Sequence, residues 1–300
     1  MAYKRRKRRR RYGWFVSLAL IVLSVLGYLF ASGRLDFLFG GSSSAEPVEG
    51  IVEFHFIDVG QGDAALIRTE EGNVLIDAGT NASEDELLAY LRKEGITEIA
   101  FAVFTHPHED HIGGADAILE YCIIEKIIMP NVADDHDSYD EMMTAIRAEG
   151  AEVIYAQPET VYTLGDLVMT VLGPVSSGYK DMNNDSVVLR VDFGESSVIY
   201  TGDAEDVSEK EMLERYAFSN KLDCDLLKVG HHGAQNSTTE DFLRAVSPEI
   251  AVISCGEGNR YGHPRQAVLD RLDSYGTEYF RTDLLGDIVF ISDGTTLEKE

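Results

Sequence analysis

Cysteine and basic residues are both scarce in this 300-residue chain, and each scarcity excludes a class of protein. The three cysteines, Cys122, Cys224 and Cys255, are too few and too widely spaced for a disulfide framework or a cysteine-based metal site. Eight of the 26 Lys and Arg residues lie in residues 1–11, so 18 basic residues remain against 52 acidic ones. A body with a net charge of −34 (18 less 52) repels polyanions, which counts against tight, nonspecific nucleic-acid binding.

A single long apolar segment follows the basic block. No charged residue occurs from Tyr12 to Gly33, a span long enough for a helix to cross a hydrocarbon core of about 30 Å. The basic block predicts that residues 1–11 stay in the cytoplasm and that the acidic body lies on the other side. We therefore expect a cell-membrane protein with one transmembrane anchor at residues 12–31. A signal peptide cleaved near Ser43-Ser44-Ala45 is the alternative, and it also places the body outside the cytoplasmic membrane.

The remainder of the chain divides into a linker and one folded domain. Residues 32–50 are rich in Gly, Ser and Ala, which predicts a flexible linker before a domain over residues 51–300. In that domain, short β-rich runs alternate with helical patterns, and Ser83 and Ser237 each begin a capping-box pattern. We predict an α+β fold of two mixed sheets with helices outside, in which polar residues that follow strands collect at one edge.

The strongest chemical signal is the segment H-P-H-E-D-H from His106 to His111, which follows an apolar run. It brings three imidazoles and two carboxylates to the end of a predicted strand, Ile99 to Phe104. This combination of ligands suits zinc, and also manganese or iron. The spacing predicts that His106 and His108 face one ion, and that Asp110 and His111 face another.

Two later strands also end in side chains that bind metals. Asp203 follows a buried strand and Gly202, and its carboxylate could bridge two cations about 3.5–4 Å apart. His231 and His232 follow another short apolar run. We expect one of them to bind metal and the other to contact substrate, and the sequence does not decide which.

Two loops supply further candidates. Asp58, Gln61 and Asp63 lie in a glycine-rich turn, where they could hold ligands in place through hydrogen bonds, although a plain hairpin turn has the same pattern. Asp77 gives a similar but weaker signal. His263 lies just before a helix, and we expect it to reach the site or to bind a substrate phosphate with help from the helix N-terminus; a purely structural role is the alternative.

Taken together, residues 52–292 resemble the metallo-β-lactamase fold superfamily. Besides the histidine cluster, three stretches are similar more narrowly to the C-terminal hydrolase domain of the ComEC-type competence proteins. They are F-I-D-V-G-Q-G-D at 56–63, K-V-G-H-H-G at 228–233 and N-R-Y-G-H-P at 259–264. The resemblance implies a four-layer αβ/βα sandwich with a hydrolase site at its edge, holding two divalent cations, zinc or manganese.

The resemblance also implies roles for individual residues. The first metal would be held by His106 and His108, and Asp203 would bridge. The second would be held by Asp110 and His111, with His231 or His232 to complete it. The residues expected to take part in catalysis are Asp110, His232 and His263.

The chain departs from the superfamily pattern in one place. A histidine commonly precedes the strand that begins here at Val187, whereas this chain reads D-M-N-N-D-S at residues 181–186. This leaves the first metal one ligand short and counts against β-lactam hydrolysis. We expect Asn184, from this segment, to support the ligands.

The sequence thus predicts a membrane-anchored, extracytoplasmic, metal-dependent hydrolase of phosphodiesters, such as DNA, nucleotides or envelope polymers. A phosphorylcholine-esterase-like enzyme acting on the cell envelope is one alternative. A non-catalytic, metal-stabilised binding module is another. With one apolar span the chain lacks the pore of a polytopic ComEC protein, and nothing indicates an oligomeric state.

Overall fold

The computed structural model describes residues 50–300. The predicted cytoplasmic segment, the anchor at residues 12–31 and nearly all of the linker lie outside the described residues. Between residues 50 and 300, no helix is both long enough and apolar enough to cross a bilayer. The described part of the chain therefore corresponds to the predicted folded domain.

Fifteen strands in residues 50–300 form two mixed sheets. The first sheet contains β1 (Val52–Phe56), β2 (Ala65–Thr69), β3 (Gly72–Ile76), β4 (Glu98–Val103), β5 (Ile123–Met129), β6 (Glu152–Tyr155), β14 (Ile288–Ser292) and β15 (Leu297–Lys299). The second contains β7 (Val161–Leu164), β8 (Leu167–Gly173), β9 (Val188–Phe193), β10 (Ser196–Tyr200), β11 (Leu226–Lys228), β12 (Ile250–Ile253) and β13 (Glu278–Arg281).

Each sheet joins an antiparallel part to a parallel part. The first has the order β15-β14-β1-β2-β3-β4-β5-β6, and the second β13-β12-β11-β10-β9-β8-β7. Strands β3 to β6 are parallel, as are β10 to β13. Because parallel strands end at the same edge of a sheet, the loops after β10 and β11 are neighbours. The segment after β4, in the first sheet, lies at the same edge. Its Thr105 O accepts a hydrogen bond from the N–H of Val187, which directly precedes β9 in the second sheet (2.8 Å).

Eight α-helices in the described residues cover the outer faces of the sheets. They are α1 (Glu84–Lys93), α2 (Glu109–Ile112), α3 (Ala115–Tyr121), α4 (Asp137–Glu149), α5 (Asp206–Tyr216), α6 (Glu240–Val246), α7 (Gln266–Tyr275) and α8 (Thr282–Leu285).

Alternation of side chains along the strands produces the layers. In β10, Val198 and Tyr200 face the core between the sheets, whereas Ile199 faces the outer helices. In β3, Leu75 packs beneath α1 and α3 in the same way, and its neighbours face the other sheet. Successive side chains of a strand point to opposite faces of the sheet, so a strand that is buried on both sides is expected to have apolar residues on both faces. The predicted two-sheet sandwich with helices on both outer faces is confirmed.

Two helix starts differ from the sequence prediction. Ser83 does not cap α1; instead Thr80 and Ser83 cap each other's backbone in the 3-10 turn that precedes it. Thr239 caps α6, and the Ser237 hydroxyl donates to Gly230 O (2.6 Å). In each case the serine lies one or more residues before the turn at which the helix begins, so its hydroxyl stabilises the preceding loop.

Candidate metal centre

The first group of candidate ligands lies between β4 and α3. His108 has extended backbone angles immediately before the short helix α2, which carries Asp110 and His111. Gly113 ends this helix directly against the turn at residues 79–81, and its N–H donates to Gly79 O (2.8 Å). A Cβ on Gly113 would lie 2.2 Å from Asn81 N, so only glycine allows this approach.

The second group comes from the other sheet. Asp203 follows β10 after Gly202, whose φ is +50° and whose missing side chain leaves space for Thr105. His231 and His232 follow β11, and both have left-handed backbone angles, with φ of 47° and 52°. Such angles are costly for residues other than glycine and occur mainly where function requires them. Here they direct two consecutive imidazoles to different oxygens of Asp203.

One set of side chains converges on Asp203 Oδ1. His111 Nε2 lies 3.1 Å from this oxygen and His232 Nε2 lies 3.7 Å from it. His232 Nε2 is also 3.4 Å from Asp110 Oδ2. Two ligand atoms at about 2.1 Å from a tetrahedral ion are roughly 3.4 Å apart, so these separations suit one cation.

A second set surrounds Asp203 Oδ2. His106 Nε2 lies 3.9 Å from this oxygen, and His108 Nδ1 lies 3.0 Å from His106 Nε2. His231 Nε2 is 3.5 Å from the same oxygen. His232 therefore lies with Asp110 and His111 near Asp203 Oδ1, whereas His231 and His106 each approach Asp203 Oδ2 and His108 contacts His106. Both histidines approach Asp203, each at a different oxygen, so the expectation that one of them binds metal and the other contacts substrate stays a prediction.

The chemistry of the buried atoms around Asp203 Oδ1 fits a divalent cation. His111 Nε2, His232 Nε2 and Asp203 Oδ1 are buried and form no hydrogen bond of good geometry with any residue between 50 and 300. Burial of three polar atoms without partners costs free energy of folding, unless an ion binds to them. The donor set of imidazole nitrogen and carboxylate oxygen is the one that zinc and manganese accept.

The carboxylates also change the pKa values of the histidines. Burial alone would lower the pKa of His232, but the carboxylates of Asp203 and Asp63 outweigh it and raise the pKa to about 10. Burial is likewise outweighed at His111, whose pKa is raised well above its ordinary value by Asp203 and Asp77. Metal must displace these protons, so metal affinity is expected to rise with pH.

Oxygen atoms behind the ligands fix the imidazole orientations. Asp77 accepts from Thr105 N–H (2.7 Å) and lies 2.7 Å from His111 Nδ1. His232 Nδ1 donates to Ser254 O (3.0 Å), and Asp63, 3.2 Å from the same nitrogen, forms a buried ion pair with Lys228 (2.7 Å). A proton held on Nδ1 leaves the Nε2 lone pair of each ring for a metal.

Replacement of Asp77 by asparagine is expected to lower metal affinity about 10–100-fold. The amide would offer an N–H to His111 Nδ1 in place of an oxygen, which moves the imidazole proton to Nε2. Asn tolerates the φ of +58° at this position, so the backbone should be kept. The affinity can be measured on the full-length chain by competition for Zn²⁺ with a chromogenic chelator. Asp225→Asn, at the opposite end of β11, is the control, and equal affinities in the two variants would contradict the role of Asp77.

The other predicted supporting residues differ in outcome. Gln61 accepts from Gly256 N–H (3.2 Å) and so connects the turn to the loop that carries His263. Asp58 is not placed against any ligand: its carboxylate accepts from Gly60 N–H, so it shapes the turn. Asn184 is one step removed, because its amide contacts Glu205 and Ser208 rather than an imidazole.

Two contributors were not singled out from the sequence. Glu205 Oε1 lies 3.0 Å from His231 Nδ1 and also accepts from Asn183 (3.1 Å). Lys228 neutralises Asp63 inside the protein. A lysine within the apolar run of β11 was an available signal, since lysine is rarely buried without a partner. Glu205, by contrast, resembles any acidic residue near a helix start.

The candidate ligands open into a cleft of about 970 Å³. His263 lines this cleft, and its ring centre is 5.5 Å from that of His231. Burial, and then the neighbouring histidines, lower the pKa of His263 to about 4, so it is neutral at pH 7. All seven predicted ligands and His263 are therefore brought together at one edge of the sandwich.

Comparison with known sequences gives related proteins over most of the chain. The ComE operon protein 3 of Bacillus subtilis (strain 168) is 33% identical over 256 residues, which cover 79% of this chain and 33% of that protein. Competence protein ComA of Neisseria gonorrhoeae is 32% identical over 237 residues, which cover 78% of this chain and 31% of that protein. The chain thus spans about a third of the length of these relatives.

Comparison of folds and family models gives the same result. The metallo-beta-lactamase fold protein YhfI from Bacillus subtilis has a TM-score of 0.51 and 13% identity, covering 77% of this chain and 95% of that chain. At this identity the likeness concerns the fold alone. The family model described as the metallo-beta-lactamase superfamily matches residues 57–257, which is more than half of the chain. The chain therefore belongs to the metallo-beta-lactamase superfamily.

Proposed function

We propose that this protein is a metal-dependent hydrolase of phosphodiesters, acting as a phosphodiesterase or nuclease. The observation that carries the proposal is the position of Asp203, whose two oxygens each face a separate set of imidazoles. A carboxylate shared in this way suits two neighbouring cations, and two cations suit an in-line displacement at phosphorus.

The candidate ligands would form two cation sites that share Asp203. Asp110, His111 and His232 would hold one cation, and His106, His108 and His231 the other, with Asp203 between them. Such cations would supply Lewis acidity and lower the pKa of a water towards neutrality. His263 is neutral at pH 7 and lines the cleft, so its ring can donate a hydrogen bond to a phosphoryl oxygen. Asp77 would keep the imidazole of His111, and the Ser254 carbonyl that of His232, in the metal-binding orientation.

We also propose that residues 12–31 anchor the chain in the cell membrane with the acidic domain outside. The support is the uncharged span from Tyr12 to Gly33 and the basic block before it. The likeness to competence proteins is consistent with a role at the cell envelope, and the substrate would then be extracellular DNA, nucleotides or envelope polymers.

The charge of the cleft favours a second candidate substrate. Four carboxylates that are not candidate ligands line it: Glu109, Asp134, Asp137 and Glu141. A phosphodiester with a positively charged group, such as a phosphorylcholine ester of an envelope polymer, would be attracted by this lining.

The test is metal removal and replacement on the full-length chain in detergent. Elemental analysis should give two ions per chain, and a chelator should abolish turnover until Zn²⁺ or Mn²⁺ is restored. Bis(p-nitrophenyl) phosphate, a single-stranded oligonucleotide and p-nitrophenyl phosphorylcholine would separate the candidates, and a chromogenic β-lactam should not react. Two bound ions without turnover of any phosphodiester would instead indicate the non-catalytic binding module.

A further inference from the structure

One arginine stands out in the acidic cleft. Of the described residues that line it, Arg260 alone carries a side chain that is positively charged at any working pH. It lies in the loop between β12 and α7, which also contains His263. The other side chains of the cleft that carry a permanent charge are carboxylates, so a substrate with several phosphates would be repelled by them and attracted only by the cations and by Arg260.

The guanidinium is held in place by its neighbours. Its Nη2 donates to the Tyr261 hydroxyl (2.6 Å), and its carbon lies 4.8 Å from the centre of the Tyr261 ring. Tyr261 in turn stacks on His263, with ring centres 5.7 Å apart and an interplanar angle of 25°. His263 meets the ring of His231 edge-on, so a continuous row of side chains connects Arg260 to the candidate metal centre.

The loop itself is tied down by a single amide. The Asn259 side chain donates to Gly256 O (2.9 Å) and accepts from His263 N–H (3.0 Å). Gly256 packs on the backbone of Gln61, where a Cβ would come within 2.8 Å of Gln61 N. A binding group on a loop of this kind loses little conformational entropy when it binds, because its position is already fixed.

We propose that Arg260 binds the phosphate next to the scissile phosphate in a single-stranded nucleic acid. Arginine suits this task because its planar guanidinium presents two parallel N–H donors to phosphate oxygens. The consequence is a preference for substrates with consecutive phosphodiesters over substrates with an isolated one. The inference rests on the proposed phosphodiesterase activity and adds the residue that binds the phosphate next to the scissile one.

Two thymidine substrates test this contact: TpT has one phosphodiester, and TpTpT adds one neighbouring phosphodiester and one thymidine, so the Arg260 variant isolates the part of the preference that is due to the phosphate. We expect the metal-loaded full-length protein to favour TpTpT about 10-fold in kcat/KM, which is the size expected for one charge-assisted hydrogen-bonded contact. Arg260→Gln should reduce this preference to about twofold, because it lowers kcat/KM for TpTpT more than for TpT. The slope of log(kcat/KM) against log[KCl] for a longer thymidine oligonucleotide should also become shallower by about 0.7.

Two further variants test whether the preference depends on the position of Arg260 in the cleft. Arg244→Gln removes an exposed arginine from α6, away from the cleft, and should retain the preference. Tyr261→Phe removes the hydroxyl that positions Arg260 and should weaken the preference by a smaller amount.

The outcomes separate the inference from the function on which it rests. An undiminished preference for TpTpT in Arg260→Gln, or an equal loss on both substrates, would overturn the role of Arg260. An equal preference for a glycerol-phosphate dimer over its monomer, also lost in Arg260→Gln, would replace nucleic acid by a polyol-phosphate polymer. Turnover of neither thymidine substrate by the metal-loaded wild type would instead remove the proposed function itself.

Discussion

Replacement of Asp203 by asparagine is expected to lower kcat/KM on bis(p-nitrophenyl) phosphate by about 10³-fold or more. The carboxylate approaches four imidazoles, two at each oxygen, and an amide can offer only one oxygen with no net charge. The loss corresponds to about 4 kcal/mol of activation free energy, within the range attributed to cations in two-metal sites. The number of bound ions should fall from two to one or none.

Elemental analysis and steady-state kinetics on the full-length chain would measure both effects. Asp273→Asn is a suitable control, because it makes the same change at an exposed position on α7, away from the cleft. If the Asp203 variant kept two ions and a kcat/KM within about tenfold of wild type, the shared-carboxylate interpretation would be wrong.

Replacement of Gly113 by alanine is expected to destabilise the domain by about 3 kcal/mol or more, although no ligand is altered. The new methyl group would lie 2.2 Å from Asn81 N and 2.5 Å from Thr80 C, and both are backbone atoms that cannot rotate away. Relief requires α2 to move, and α2 carries Asp110 and His111. Overpacking of this kind costs about 1–3 kcal/mol, and more where backbone must shift.

Thermal unfolding followed by circular dichroism should show a decrease in Tm of roughly 6–12 °C. Gly173→Ala is the matched control, since its methyl group would come no closer than 3.3 Å to any neighbour, and that neighbour is the flexible sulfur of Met212. A Tm within about 2 °C of wild type for Gly113→Ala, together with normal metal content, would show that α2 can be displaced without cost.

The grouping of the candidate ligands could be predicted from the sequence because each lies just after an apolar run. A buried strand that ends in His or Asp is a local pattern, and parallel strands bring such ends to one edge. His106 to His111, Asp203 and His231-His232 can therefore be grouped from the order of residues alone. The two-sheet fold follows from the same alternation of short apolar runs with amphipathic helices.

The assignment of His231 and His232 could not be made in this way. It depends on two consecutive left-handed residues, and nothing in the letters H-H specifies that backbone conformation. The structure brings His231 Nε2 to 3.5 Å from Asp203 Oδ2, the oxygen that His106 also approaches.

Residues that act through others are harder to recognise. Asp58 and Asp77 both occur in short Asp-x-Gly segments, so the sequence gives no reason to prefer Asp77 over Asp58. Only the tertiary fold brings Asp77 to His111. Strands β6 and β15 were not predicted. Both are short and partly exposed, and they lie at the edges of the first sheet, where hydrophobic patterning is weakest.

The candidate cations connect segments that come from different sheets, in a chain whose three thiols are all free and buried. They would act as a cross-link closing a loop on the order of 100 residues, and a disulfide closing such a loop contributes about 4 kcal/mol or more. Proteases cleave chains in proportion to how often they open. Scarcity of metal would then shorten the lifetime of this protein as well as slow its chemistry.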